Sequence, residues 1–171
     1  MIVAISMDTF CETASANIHL KDGAWEFFNL AAERHIKLLV LVDTGTSKGK
    51  HAARALKFWK SHLLAAIPTS VKRIEVIGYH TGELASRLRG NNIYLCVVGK
   101  RSDIDQVRGM TRTLIYDGDD NRIPELEGYE RAYNMWGVTE TVRSMFSKVD
   151  KQNIQRKRMK RQQRKARGAG P

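Results

Sequence analysis

The chain has 171 residues, 42% of them hydrophobic, and a formal net charge of +11; that fits one soluble domain with an extension and excludes a disordered chain or two full domains. Residues 1–150 hold 20 Lys/Arg against 18 Asp/Glu, whereas residues 151–171 hold nine basic residues and no acid. The charge is therefore that of a terminal tail on a nearly neutral body, which excludes a basic face spread over the fold.

Taken in order, the body alternates short β-branched runs with segments of helical period, the pattern of a parallel sheet covered by helices. Residues 2–7 (IVAISM) predict a first strand ending at Asp8. A helix follows, opened by Asp22 as N-cap, with Ala24, Phe27, Phe28, Leu30 and Ala31 on one face and Trp25 assigned to the core. Residues 36–42 (IKLLVLV) form the second strand and end at Asp43. A second helix carries Ala52, Leu56, Trp59, Leu63, Leu64 and Ile67 inward until Pro68 stops it. Strands at residues 73–79, 93–98 and 112–116 follow, with short helices at 82–89 and 103–109. Residues 117–128 read as a loop, and a last helix shows an apolar stripe from Val138 to Val149. The expected fold is α/β: a three-layer, Rossmann-like parallel sheet of about five strands, residues 1–150, with a C-terminal helix and a flexible basic extension at 151–171. Right-handed crossovers gather the strand ends at one edge of such a sheet, where chemistry is expected.

Cys11 and Cys96 lie far apart inside apolar segments, so neither a disulfide framework nor a Cys-based zinc site is indicated. The start of the chain has no basic leader, and no apolar run nears the ~20 residues that span a bilayer. The expectation is a soluble protein of the cytoplasm or another reducing compartment, not secreted and without a membrane partner.

The tail, QNIQRKRMKRQQRKARG, carries Lys151, Arg156, Lys157, Arg158, Lys160, Arg161, Arg164, Lys165 and Arg167 with no apolar face. It resembles the arginine-rich segments of RNA-binding peptides. Uncompensated charge of this density favours polyphosphate, so the leading functional expectation is nucleic-acid binding, RNA ahead of DNA. The loop Asp43-Thr44-Gly45-Thr46-Ser47-Lys48-Gly49-Lys50 enters a helix and reads as a general anion site, with Lys48 and Lys50 as a secondary phosphate contact. It is not a Walker loop, since Thr44 stands at the first glycine and His51 follows Lys50.

A second reading starts from the acids. The apolar strand ending Ser6-Met7-Asp8-Thr9-Phe10, the segment LVDTGTS and the segment VVGKRSDID together resemble, over roughly residues 1–117, the haloacid dehalogenase-like superfamily. The resemblance implies a Mg²⁺-dependent phosphohydrolase or nuclease with Asp8 as nucleophile, Thr44 orienting the phosphoryl group and Lys72 or Lys100 neutralising it. Asp8, Asp43, Asp103 and Asp105 are the candidate acids for Mg²⁺, the only cofactor expected and only for an enzyme. Two departures stand out: Phe10 occupies the place of the second acid, and Lys100 that of the leading acid of the last motif. A third expectation is a catalytically silent assembly protein, as a homo-oligomer or within a nucleoprotein particle.

Overall fold

The structure, a computed structural model, describes residues 1–14, 17–46, 49–116, 130–132 and 134–168. The predicted loop at 117–128 and Lys48 lie outside the described residues.

The strand β1 (Ile2–Ser6) is followed by a single helical turn, α1 (Met7–Phe10), and an antiparallel hairpin of β2 (Cys11–Ala14) and β3 (Asn17–Leu20). Next come α2 (Ala24–Glu33), β4 (Lys37–Asp43), α3 (Gly49–Ala66), β5 (Ile74–Tyr79), α4 (Leu84–Leu88), β6 (Leu95–Val98) and α5 (Arg101–Val107). The order ends with β7 (Thr113–Tyr116), β8 (Glu130–Arg131) and α6 (Met135–Gly168). All five predicted strands are present. The hairpin is an addition: the sequence reads as a loop running from Asp8 into the first helix, and strands of four residues each are too short to announce themselves.

Six strands pair in parallel in the order β5-β4-β1-β6-β7-β8. From β1 the chain builds outward through β4 and β5, then returns to the other side of β1 with β6. Strand order thus reverses beside β1, the position where open α/β sheets form a crevice at the carboxyl ends of their strands.

The strands read as continuous apolar runs because both faces are covered. Ala4, Leu39, Leu41, Cys96 and Val98 pack on one face with Leu84, Leu88, Ile104 and Val107 of α4 and α5. The alternate residues Val3, Ile5, Leu38, Val40, Val42, Leu95 and Val97 point the other way and are equally buried. Two covered faces make three layers.

In α2 the buried side chains are Ala24, Phe27, Phe28, Leu30 and Ala31, the predicted face. Its N-cap is Gly23 rather than Asp22. Gly23 has φ +84, and a Cβ there would lie 2.7 Å from the Trp136 backbone nitrogen, so only glycine fits. Trp25 corrects the core expectation, being 53% exposed, since it follows Ala24 by one residue and turns off the buried face. Trp59 is half-buried.

Ser6 Oγ is buried without a hydrogen-bond partner among the described residues, although Ser6 also ends the central strand. An unsatisfied buried hydroxyl costs about 1–3 kcal/mol. Ser6→Ala is expected to raise the urea midpoint, by about 1 kcal/mol in stability; a lowered midpoint would show that the hydroxyl has a partner.

The chain divides into two compact units, Met1–Thr139 and Glu140–Pro171, with the boundary inside α6. The helix α6 runs on to Gly168 and so includes most of the basic extension that begins at residue 151. In the second unit Arg143 pairs with Glu140, and Ile154 and Met159 are exposed. No helix among the described residues is long and apolar enough to cross a membrane.

Candidate active site

Four groups meet where β1, β4 and β6 end. Asp8 lies in the turn α1 directly after β1, Asp43 is the last residue of β4, and Gly99-Lys100 follow β6. Because these strands are adjacent and parallel, their ends cannot avoid one another. Lys100 Nζ donates to Asp43 Oδ2 at 2.5 Å. The other Asp43 oxygen, Oδ1, accepts the Gly45 N–H at 2.7 Å. The hairpin contributes Lys21, whose Nζ donates to the Asp8 backbone carbonyl at 2.7 Å and whose N–H donates to the Phe10 carbonyl at 2.9 Å.

Burial raises the Asp8 pKa above the ordinary carboxylate value, helped by the charge of Asp43. Lys100, the Asp8 backbone N–H and Lys21 oppose that rise without cancelling it. For Lys100, burial alone would lower the pKa; the hydrogen bond and charge of Asp43, with Asp8 and Asp103, outweigh it and hold the ammonium protonated. A buried carboxylate with two ammonium groups acting on it through their charge, at a sheet's reversal point, is the arrangement in which perturbed pKa values accompany chemistry.

The carboxylate of Asp8 is also placed by what is missing opposite it. A Cβ on Gly99 would lie 3.0 Å from Asp8 Cγ and Oδ2. Gly99 has no positive φ, so Ala is tolerated by the backbone but displaces the carboxylate. If Asp8 reacts, Gly99→Ala should lower turnover by up to about 10²-fold with little change in stability, since misplacement by about 1 Å costs that order. Unchanged turnover would show that Gly99 does not set the Asp8 position.

The remaining sequence candidates separate. Asp103 is 3% exposed and accepts the Tyr79 hydroxyl at 2.7 Å, tying the end of β5 to the first turn of α5. Burial raises its pKa against the opposing effects of Tyr79 and Lys100. It positions the loop that carries Lys100. Asp105 is a correction: it is exposed on α5, 3.9 Å from Arg108, because two residues along a helix turn a side chain from the buried to the open face. Thr44 is another, since its hydroxyl donates to the Tyr79 carbonyl and meets His80 Nδ1, both at 3.0 Å, on the β5 side. Lys72 precedes β5 and so lies at the opposite, amino edge of the sheet, too far along a parallel strand to reach Asp8. Phe10 is fully buried, its ring edge-on to Phe28 at 5.3 Å.

Lys50 is exposed in the first turn of α3. Lys151, Arg156, Lys157, Arg158 and Lys160 are exposed on α6; the side chains of Arg161, Arg164, Lys165 and Arg167 lie outside the described residues. A groove lined by Thr44, Gly49, Leu56, Gly78, His80 and Arg87 opens on the β5 side of the cluster. Both thiols are buried, Cys11 and Cys96 each pushed up to about 12 mainly by burial, which leaves them unreactive. Sequence reading missed Lys21, Tyr79 and Gly99. Lys21 and Tyr79 belong to no motif, Gly99 lies unremarked within VVGKRSDID, and each acts through a partner distant in the chain.

No family description matches the sequence, and no curated protein matches it. Solved structures do. A D,D-heptose 1,7-bisphosphate phosphatase from Burkholderia thailandensis shares 14% identity, with TM-score 0.61 over 84% of this chain and 98% of its own. The enzyme of the same name from B. bronchiseptica, complexed with magnesium and phosphate, shares 9%, with TM-score 0.60 over 84% and 98%. An uncharacterized protein from Listeria monocytogenes serotype 4b shares 15%, with TM-score 0.55 over 85% and 98%. At these identities the likeness is one of fold.

Magnesium does not fit the donor set of this chain. Among the described residues no cluster of three or more His, Cys, Asp or Glu is arranged to hold a metal ion. Asp103 is committed to Tyr79, Asp105 is turned away, and Asp43 is ion-paired with Lys100. The comparisons also correct the leading expectation from the sequence. Two of the three neighbours that share this fold along nearly their full length are phosphatases, and nucleic-acid binding is not retained as the main function. The chain has the α/β, Rossmann-like fold expected from its alternation of apolar strands and helical segments.

Proposed function

We propose that the protein is a phosphohydrolase that transfers a phosphoryl group to Asp8 and then to water. The observation that carries this reading is the Asp8 carboxylate at the end of the central strand, flanked by Lys100 and Lys21 on a fold shared with phosphatases. An Asp8 oxygen attacks phosphorus, and the bond from phosphorus to the leaving oxygen breaks with its electron pair on that oxygen. Water then attacks the phosphorus of the aspartyl phosphate, releasing inorganic phosphate, a proton and the Asp8 carboxylate. The Lys100 ammonium stabilises the charge on the phosphoryl oxygens.

Among the described residues, neither Phe10, buried in the core, nor Tyr79, whose hydroxyl is committed to Asp103, offers a general acid to the leaving oxygen. Loss of general acid catalysis costs about 10² to 10⁴ in rate. The substrate class is accordingly one whose leaving group departs without a proton, such as an acyl or aryl phosphate, and alkyl phosphates turn over slowly. The test is intact-mass measurement on protein quenched during turnover of acetyl phosphate and of an aryl phosphate. One phosphoryl adduct mapping to the peptide with Asp8 is expected; turnover with an adduct elsewhere, or no turnover of either ester, contradicts the reading.

A further inference from the structure

The cluster at the sheet edge carries its own cations. Asp8 and Asp43, with Asp103 acting on Lys100 through its charge, face the ammonium groups of Lys100 and Lys21. Lys100 Nζ occupies Asp43 Oδ2 at 2.5 Å and acts on Asp8 through its charge, while Lys21 Nζ is held on the carbonyl of Asp8 itself. A divalent cation entering here would face both ammonium groups and would have to displace Lys100 from Asp43. Like charges a few ångströms apart repel strongly at the reduced effective dielectric of a protein site. Neither oxygen of Asp43 is idle, since Oδ1 already accepts the Gly45 N–H.

We propose that the Lys100 ammonium takes the place of a divalent metal ion, so that the site binds a phosphoryl group and acts on it without magnesium. This inference rests on the proposed phosphohydrolase reading for its catalytic half, and on the geometry alone for its metal half. Two consequences follow from the arrangement. Asp43 becomes a positioning residue, holding Lys100 rather than a metal. The 46% exposure of the Lys100 side chain leaves its other two N–H groups open to phosphoryl oxygens.

The test titrates Mg²⁺ into the full chain, into Lys100→Asp, which replaces the ammonium by another carboxylate, and into Lys100→Met. Binding is followed by calorimetry and by melting temperature, and phosphate release from acetyl phosphate is measured in excess EDTA and in Mg²⁺. The parent is expected to give no binding heat and no Mg²⁺-dependent melting shift, and to turn over within twofold in EDTA and in Mg²⁺. Lys100→Asp is expected to acquire a Mg²⁺-dependent rise in melting temperature. Lys100→Met should lose about 10²- to 10³-fold in turnover, the order seen when one charge-stabilising donor is removed. Saturable Mg²⁺ binding by the parent that is lost in Asp43→Asn, or activity abolished by EDTA, would overturn the proposal. If the parent releases no phosphate under any condition the phosphohydrolase reading fails, while the parent's own magnesium titration still decides the cation, whether or not the variants fold.

Discussion

Asp8→Asn is expected to lower phosphate release by at least about 10³-fold, because it replaces the attacking carboxylate with a neutral amide of the same shape. The same substitution should make the protein more stable at neutral pH. Burial raises the Asp8 pKa in the fold, so the folded state binds the proton more tightly than the unfolded state does. Stability attached to this group is therefore present at low pH and lost as the pH rises from 3.8 through the folded pKa. Asn lacks that loss. Melting temperatures of parent and variant should differ most above the folded pKa and converge below 3.8. The acid limb of the pH–rate profile should correspondingly lie above the ordinary carboxylate range, since attack requires the ionised form. A variant both inactive and less stable at pH 7 would mean that Asp8 is a structural acid.

Phe10→Asp is expected to unfold the protein rather than restore a missing acid. Read along the chain, Phe10 stands where a second acid would be placed by resemblance. In the fold its ring is fully buried against Phe28, which in turn packs on Phe27. Removing a buried Phe ring costs about 3–5 kcal/mol before any penalty for a charge in its place. That loss is comparable to the whole stability of a small domain, about 5–15 kcal/mol. Phe10→Leu should be milder and retain turnover. Urea unfolding of the two variants makes the comparison, and a folded Phe10→Asp with faster hydrolysis of alkyl phosphates would place position 10 in the site.

These two cases show what a linear reading recovers. The five long strands were legible because burial on both faces leaves unbroken apolar runs such as residues 38–42, and the α2 face was legible from its period. Asp8 and Asp43 were legible as acids at strand ends. What could not be read was which ends become neighbours. The order β4-β1-β6 brings Lys100 to Asp43 across 57 residues, and the hairpin β2-β3 folds Lys21 back onto Asp8. Lys72 was misassigned for the same reason: its distance along the chain says nothing about which edge of a parallel sheet it occupies. Thr44 shows the limit at single-residue scale, since one step past Asp43 turns its hydroxyl to β5. The tail drew attention by charge alone, whereas at the site acids and lysines of both signs lie side by side and leave no run of like charge in the sequence.

The most direct measurement of the central claim is a crystal structure with orthovanadate, a mimic of the transferring phosphoryl group, grown without divalent metal. The account predicts vanadium bonded to an Asp8 carboxylate oxygen, with Lys100 Nζ on a vanadate oxygen and still within reach of Asp43. Vanadate bound away from Asp8, or absent from the sheet edge while present elsewhere on the chain, would contradict it.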